Sequence, residues 1–536
     1  MDRVLVRVPA QWRSRSATGR TWLDLVLILV SAAAMWAAFP FANLWFLAIP
    51  SIALLVALVD RIHPGRAAGY AAVWAMAFFM PHISWMQIAT DNTVIAWVAL
   101  AGAQAFFIAL WGLALSAMRT WAWAQSIWGE ALGGALLWVT FEELRSRVPF
   151  GGFPWGKLAY TQVDSPLLAF APLGGEVLTS FVAVVIAIVL RRALALRTAP
   201  NREESFFARL AALGIAGVLF IAPALYSLPK SQENGEIELA LIQGNVEIPM
   251  AETFATPRKV TGNHARQTLA MLDEGHEVDL ILWGENATDI DPRIDPATAA
   301  LVEEVVDRAG KPVMLGVMEY AGEQRYNWMA VWDPDRGLLE EMYGKQHPVP
   351  WGEYVPLREI SEFLATASAQ ISVDMASVDN PAFMEVELSD GRSIPLAVGI
   401  CFEVAYEPLI AEGVAMGGEL IVIPTNNAHF QNSAESDQQL QMARFRAAEF
   451  SRSTVQVSTN GVSGMIRPDG SLVAVTGTQE AAHLVGELPL RTSITPFTYV
   501  ASFMPVLVMV GGLLLASTSL GAYYYARGRD KRTEEG

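Results

Sequence analysis

Apolar residues in this chain gather into eight blocks, near residues 22–38, 41–59, 67–86, 94–117, 122–141, 170–190, 208–227 and 498–526. Several blocks reach the ~20 residues with which a helix crosses ~30 Å of hydrocarbon, where the backbone must satisfy its own hydrogen bonds. The long stretch between the last two blocks has ordinary globular composition and room for its own core. With 53% hydrophobic and 17% charged residues, the chain is too apolar for a soluble protein and too charged for spans alone. The expected organisation is a membrane bundle over 1–228 with seven spans, a soluble domain over 229–497, and an eighth span with a tail over 498–536. Only the turn at Pro40 divides the first two blocks.

Seven spans place the soluble domain across the membrane from the N-terminus, and the basic residues test that parity, because cytoplasmic loops hold excess Lys and Arg. Arg3, Arg7, Arg13, Arg15 and Arg20, then Arg61, Arg66 and Arg119, then Arg191, Arg192, Arg197, Arg202 and Arg209, and finally Arg527, Arg529, Lys531 and Arg532 all fall on one side. The opposite short loops hold Arg145, Arg147, Lys157 and Lys230. Both termini are therefore expected in the cytoplasm and the domain outside it. A cleaved signal peptide ending near Ser31-Ala32-Ala33-Ala34 is the competing reading of the first block, but loss of that span would break the charge pattern.

Charge divides the chain in the same way. Residues 229–497 carry 17 Lys+Arg against 40 Asp+Glu, and the remainder carries 20 against 14. So acidic a domain repels polyanions, which excludes nucleic acid as a partner and adhesion to anionic lipid by charge alone. Cys401 is the single cysteine, so no intramolecular disulfide exists. A lone thiol is either a small buried apolar residue or a group that chemistry requires.

The loop from Val148 to Gln162 is rich in Gly, Pro and aromatic residues and lies on the domain's side of the membrane. Trp155 and Tyr160 suit the headgroup level, and paired glycines let backbone approach a ligand. Glu130 within a span and Glu176 at the edge of another are either functional or interfacial acids.

In the soluble domain, Ile237–Gln243, Asp279–Trp283, Pro312–Val317, Asn327–Trp332, Ser393–Ile400, Glu419–Pro424 and Thr454–Ser458 read as strands. Helix-like stretches over 258–273, 295–309, 404–415 and 434–450 lie between several of them, which predicts a layered α/β fold. The seven His show no paired spacing, so no metal is expected.

Three polar residues stand where buried strands end. Glu285 follows Leu280-Ile-Leu-Trp283, Lys345 lies in Tyr343-Gly-Lys-Gln-His-Pro-Val-Pro-Trp-Gly-Glu-Tyr-Val-Pro356, and Cys401 follows Ile394-Pro-Leu-Ala-Val-Gly-Ile400. A thiol at a strand-to-helix turn is exposed at a sheet edge and meets helix N-terminal amides that favour thiolate. Glu285 suits a general base, and Lys345 a counter-charge for an oxyanion beside a backbone N–H near Phe402. Taken singly, each has a plainer role: a turn carboxylate, a surface cation, a core thiol.

Trp283-Gly-Glu285, Gly344-Lys345 and Gly399-Ile-Cys401-Phe-Glu403 resemble, in order and setting, the Glu-Lys-Cys triad of the nitrilase (carbon-nitrogen hydrolase) superfamily. Together with the spans, the chain resembles that superfamily's membrane-bound branch, the apolipoprotein N-acyltransferases, along nearly its whole length. Further local matches are Gly152-Phe-Pro-Trp155 with Tyr160-Thr-Gln162, Gln243-Gly-Asn245, Pro350-Trp-Gly-Glu-Tyr-Val-Pro356, Gln441-Met-Ala-Arg-Phe-Arg446 and Thr459-Asn-Gly461.

The resemblance implies an α-β-β-α sandwich beside a helical bundle of about eight spans in the plasma (inner) membrane, and no cofactor. It implies that Cys401 takes an acyl chain from a phospholipid as a thioester and passes it to the amine of a diacylglyceryl-cysteine apolipoprotein. By the same resemblance Glu353 is a second glutamate positioning Lys345, and Glu403 matches the family. Phe402 stands where the family often has tyrosine. Asn426, His429 and Trp155 fall on supporting or substrate loops. Thr425-Asn-Asn-Ala-His-Phe430 departs from the family's Ser-Asn-Asp-Ala-Trp-Phe at Asn427 and His429, and Val246-Glu-Ile-Pro-Met-Ala-Glu252 lacks the usual aromatic. These departures bear on acyl-chain or acceptor preference. Two other readings stand beside the transferase: a membrane-tethered amide or nitrile hydrolase with the same triad, and a catalytically silent scaffold for a partner enzyme.

Overall fold

The computed structural model describes residues 5, 21–60, 62–90, 93–194, 206–225, 228–247, 256–358 and 371–535. Arg3, Arg7, Arg13, Arg15, Arg20, Arg61, Arg197, Arg202 and Met250–Glu252 lie outside these residues. The chain forms two compact units, one of residues 1–84, 97–227 and 500–536, the other of 85–96 and 228–499.

The first unit is helical. Each apolar block contributes a helix: Thr21–Ala37, Ala48–Val59, Pro64–His82, Val94–Met118, Ile127–Arg145, Ala171–Ala193, Phe206–Ile221 and Met504–Glu535. Among the described residues, three helical stretches are long and apolar enough to cross a membrane: Val94–Met118, Pro166–Ala193 and Met504–Asp530. That is fewer than the eight expected from composition. Trp22–Ala37, Trp45–Val59 and Phe206–Ile221 are shorter apolar helices. Ile127–Arg145 is long enough but carries Glu130, Glu142, Glu143 and Arg145.

These charges are paired. Glu130 meets Arg119 at 3.2 Å, Arg192 at 3.3 Å and Arg191, while Asp60 meets Arg119 at 3.1 Å and Arg191 at 3.0 Å. A buried carboxylate is tolerable only with such partners, so Glu130 belongs to a structural knot of ions rather than to an interface. Glu176 accepts from the Tyr160 hydroxyl at 2.5 Å and pairs with Lys157, which also meets Glu143 at 2.8 Å. The aromatic loop likewise departs from expectation, since Trp155 and Tyr160 are 1% and 2% exposed. The cause lies in its backbone. A Gly/Pro-rich loop has no ladder partners for its carbonyls, and Arg145 supplies donors to those of Phe153, Trp155 and Gly156 at 2.8–3.1 Å.

The second unit holds two sheets. One has the order β14-β1-β2-β3-β4-β5, with β6 and β7 also pairing β4. Its strands are β1 (Glu236–Gln243), β2 (Leu280–Trp283), β3 (Val313–Ala321), β4 (Gln324–Asp333), β5 (Gly337–Leu338), β6 (Tyr343–Gly344), β7 (Asp374–Met375) and β14 (Ala482–Pro489). The other has the order β13-β12-β11-β10-β9-β8, from β8 (Phe383–Glu387), β9 (Ser393–Val398), β10 (Leu420–Thr425), β11 (Ser453–Ser458), β12 (Gly464–Ile466) and β13 (Leu472–Val475). β1, β2 and β3 run parallel, as do β9, β10 and β11.

Strand alternation divides the buried residues between two interfaces. Ala240, Ile242, Ile281, Trp283, Val313 and Leu315 share a core with Ala265, Met271, Val302, Val305 and Val306 of helices Lys259–Asp273 and Pro296–Ala309. The opposite face of β1 and β2 packs on β11, whose sheet is covered by helices Glu407–Ala415 and Glu435–Phe450. The result is the helix-sheet-sheet-helix order that the resemblance implied. Residues 85–96, expected within the bundle, pack with this unit: the Trp85 indole donates to Gln438 Oε1 at 3.1 Å and meets Phe430 edge-on at 5.2 Å.

Candidate active site

Four strands, β2 of one sheet and β9, β10 and β11 of the other, end at one place, each after a parallel pairing within its own sheet, which is where α/β sheets collect chemistry. Glu285 lies beyond β2, Cys401 beyond β9, Asn426 beyond β10 and Thr459 beyond β11. Gly284 permits this convergence, because a Cβ there would come within 2.8 Å of the Thr459 nitrogen and 3.0 Å of the Thr425 oxygen. Thr459 in turn donates its hydroxyl to the Glu285 carbonyl at 2.9 Å.

Glu285 is 2% exposed and surrounded by donors. Oε1 accepts from Lys345 Nζ at 3.0 Å and Asn327 Nδ2 at 2.6 Å, and Oε2 from the Asn426 backbone N–H at 2.8 Å. Lys345, directly after β6, is anchored by its own N–H to the Asn327 carbonyl at 2.9 Å. Its ammonium also meets Glu353 Oε1 at 2.6 Å, while Glu353 Oε2 accepts from the Val349 N–H at 2.7 Å. Burial disfavours the Lys345 charge, but the Glu285 and Glu353 carboxylates outweigh it and hold the ammonium well above its ordinary range.

Cys401 opens a five-residue 3-10 turn, Cys401–Ala405, with φ at +57°. A side chain in this region costs about 1–2 kcal/mol, and the surroundings fix it there. β9 holds the chain before it. Behind it, Glu403 accepts from the Ile400 N–H at 2.7 Å, the Tyr343 hydroxyl at 2.9 Å, and the N–H groups of Gln346 and His347 at 2.7 and 2.9 Å. Glu403 thereby ties the cysteine turn to the lysine loop.

The expected thiolate bias from helix amides is not what this setting provides. The regular helix starts only at Glu407, with Pro408 in its first turn, where proline's missing N–H costs nothing. Cys401 is buried rather than exposed at a sheet edge, and burial together with the Glu285 carboxylate pushes the thiol well up, against the pull of Lys345. The resting sulfur is a thiol beside a carboxylate.

The other expected residues fall into place unevenly. Phe402 packs edge-on to Tyr406 at 5.7 Å. Asn426 holds Glu285 through its backbone, and its side chain accepts from the Ala428 N–H at 3.2 Å. His429 is exposed on the turn Ala428–Phe430. Trp155 belongs to the first unit. Sequence reading missed Asn327, whose place in a strand hides its polar role, and Gln439, whose Nε2 lies 3.6 Å from Cys401 Sγ. It also missed Arg446 as a brace, although the motif containing it stood out. That guanidinium donates to the Val404 and Ala405 carbonyls at 2.8 and 3.3 Å and pairs with Glu449.

The clamp has a measurable pH dependence. Burial lifts the Glu403 carboxyl from 4.5 to about 7, against the Lys345 charge and its donors. The folded state thus keeps a proton that the unfolded chain has released, so this group's stabilising contribution is full below pH 4.5 and lost as pH rises through 7. Glu403→Gln is expected to flatten the decline of Tm between pH 5 and 8, as read by scanning fluorimetry.

Among the described residues, Glu274, His276 and His483 bring ligand atoms within 4.8 Å of one another on the surface, far from any sequence spacing that would have signalled it. No step of the chemistry above involves them.

Two family models match the chain: the apolipoprotein N-acyltransferase N-terminal domain over residues 31–189 and the carbon-nitrogen hydrolase domain over 266–494. A relative named apolipoprotein N-acyltransferase from Mycolicibacterium smegmatis is 30% identical, covering 90% of this chain and 82% of its own. A second of that name from Azotobacter vinelandii is 30% identical over 89% and 91%. Among solved structures, an amidase from the nitrilase superfamily of Nesterenkonia AN1 matches 51% of this chain and 96% of its own, with TM-score 0.37 and 15% identity.

Proposed function

Because this chain belongs to the apolipoprotein N-acyltransferase family, we propose that its N-acylation of lipoproteins runs through Cys401, Glu285 and Lys345. The observation that carries the assignment is the Lys345 ammonium held between the Glu285 and Glu353 carboxylates at 3.0 and 2.6 Å, at the strand ends that also present the only thiol. Glu285 takes the Cys401 proton, and Sγ attacks the ester carbonyl of a phospholipid. Lys345 offsets the oxyanion that forms. Collapse breaks the ester C–O bond, Glu285 returns the proton to the departing alkoxide, and a lysophospholipid leaves a thioester on Cys401. The α-amine of a diacylglyceryl-cysteine apolipoprotein then attacks the thioester carbonyl. Its proton passes to Glu285, the thiolate leaves and is reprotonated, and the product is an amide.

We place the catalytic domain at 229–497, outside the cytoplasm, with both termini inside and about eight crossings. The Arg-rich loops support this arrangement. Donor and acceptor are both membrane-anchored, so a catalytic domain tethered to the same membrane meets them at high effective concentration. The test is intact mass of the full-length protein in phospholipid vesicles without acceptor. One added acyl chain, mapped to Cys401 and lost in Cys401→Ala, is expected; an unmodified protein, or release of ammonia from small amides without lipid, would overturn the assignment.

A further inference from the structure

Helix Glu435–Phe450 presents Glu435, Gln439 and Arg446 at helical spacing on the side facing the cysteine turn. Arg446 braces the turn's carbonyls, and Gln439 reaches the sulfur itself. Glu435, Gln439 and Asn427 are 3%, 0% and 1% exposed, and they form one closed network.

Asn427 sits at its centre with its amide fully used. Nδ2 donates to Glu435 Oε2 at 2.8 Å and to Gln439 Oε1 at 2.9 Å. Oδ1 accepts from Thr425 Oγ1 at 2.7 Å and Ser458 Oγ at 2.6 Å. Flipping that amide would set Oδ1 against two acceptors, so the network dictates its orientation. With Oε1 of Gln439 occupied by Asn427, only its Nε2 remains to face Cys401. Gly461 closes the other side, where a Cβ would come within 2.5 Å of Asn427 Oδ1.

We propose that Gln439 is a catalytic hydrogen-bond donor to the Cys401 sulfur, and that Asn427 and Glu435 are positioning residues that aim it. The proposal rests on the reading of Cys401 as nucleophile. As Glu285 removes the thiol proton, charge grows on sulfur and the N–H···S contact strengthens. When the thioester forms, that charge moves to the leaving alkoxide and the contact weakens. Gln439 keeps both its protons throughout. The same donor stabilises the thiolate again when the acceptor amine expels it, so both half-reactions benefit.

The network also explains why an asparagine suits position 427 in this chain, where the resembling family has aspartate. A carboxylate there would offer no donor and would face the oxygens of Glu435 and Gln439. The ionisable groups around Cys401 are Glu285, Lys345, Glu435 and Glu353.

Because the chain has one cysteine, iodoacetamide reports on that sulfur alone. The experiment follows alkylation against pH and single-turnover thioester formation in phospholipid vesicles, using the full chain, with Tm as a fold control. Gln439→Met fills similar volume without a donor. It is expected to move the alkylation profile about one unit upward and to slow acylation about ten- to a hundredfold, the effect of losing a hydrogen bond to a charged group. The KM for phospholipid should stay within about twofold. Asn427→Asp should behave alike, and Asn427→Asp with Glu435→Gln should recover about tenfold, since the new amide donates to the aspartate. A wild-type profile and rate in Gln439→Met would overturn the proposal. If that variant does not fold, the pair decides: a double variant no better than Asn427→Asp overturns it. Absence of any wild-type thioester would instead sink the nucleophile reading, while the alkylation profile still reports the contact.

Discussion

Glu285→Gln is expected to slow thioester formation by about a thousandfold or more while leaving the domain folded. General acid–base catalysis by one positioned side chain contributes about 10²–10⁴, and here the demand is at the high end because burial keeps Cys401 a thiol. The substitution also disturbs geometry. Every partner of the carboxylate is a donor: Lys345 Nζ, Asn327 Nδ2 and the Asn426 N–H. A glutamine brings one oxygen and one NH₂ to three donors, so at least one of them loses its acceptor. Stability should change little by comparison, because Lys345 keeps Glu353 at 2.6 Å and one carboxylate suffices to neutralise one ammonium. Stopped single-turnover reactions read by intact mass, with Tm alongside, separate the two effects. A variant acylated at more than a tenth of the wild-type rate would remove Glu285 from the role of base.

The legibility of this chain varies with physical cause. Strands buried on both faces announced themselves as apolar runs, so β1, β2, β3, β4, β9, β10 and β11 were readable within a few residues. β5, β6 and β7 are two residues long, and β14 has a half-exposed pattern; neither leaves a periodic signal. The positions of Glu285, Lys345 and Cys401 were readable because strand ends followed by Glu, Lys or Cys are local features. What surrounds them was not. Asn327 reaches Glu285 across 42 residues and Gln439 reaches Cys401 across 38, contacts that only the joining of strands creates. The helices of the first unit were legible for the same reason as the buried strands: apolar composition located each of them, and among the described residues three are by themselves long and apolar enough to cross a membrane. The ion pairs that the others carry left no sign in hydropathy, because their partners lie on separate helices and loops.

Lys345→Met is expected to abolish acyl transfer and also to lower Tm markedly, a combination that Glu285→Gln should not show. Lys345 is fully buried and is the cation shared by Glu285 and Glu353. Methionine keeps most of the stem's packing, so the loss is electrostatic. Two carboxylates are stranded in one buried site, and removing one partner of such a pair costs about 3–5 kcal/mol. At about 2–4 °C per kcal/mol for a domain of this size, Tm should fall by roughly 10 °C. Lowering the pH should recover part of that loss, because protonation neutralises the stranded carboxylates, and the recovery should be smaller in the Lys345→Met, Glu285→Gln double variant, where Glu353 alone is left stranded. Chemistry suffers separately: without the ammonium the oxyanion has no counter-charge and faces the Glu353 carboxylate, and no residual thioester is expected by mass. Full stability with inactivity would assign Lys345 to catalysis alone, and retained acylation would remove it from the mechanism.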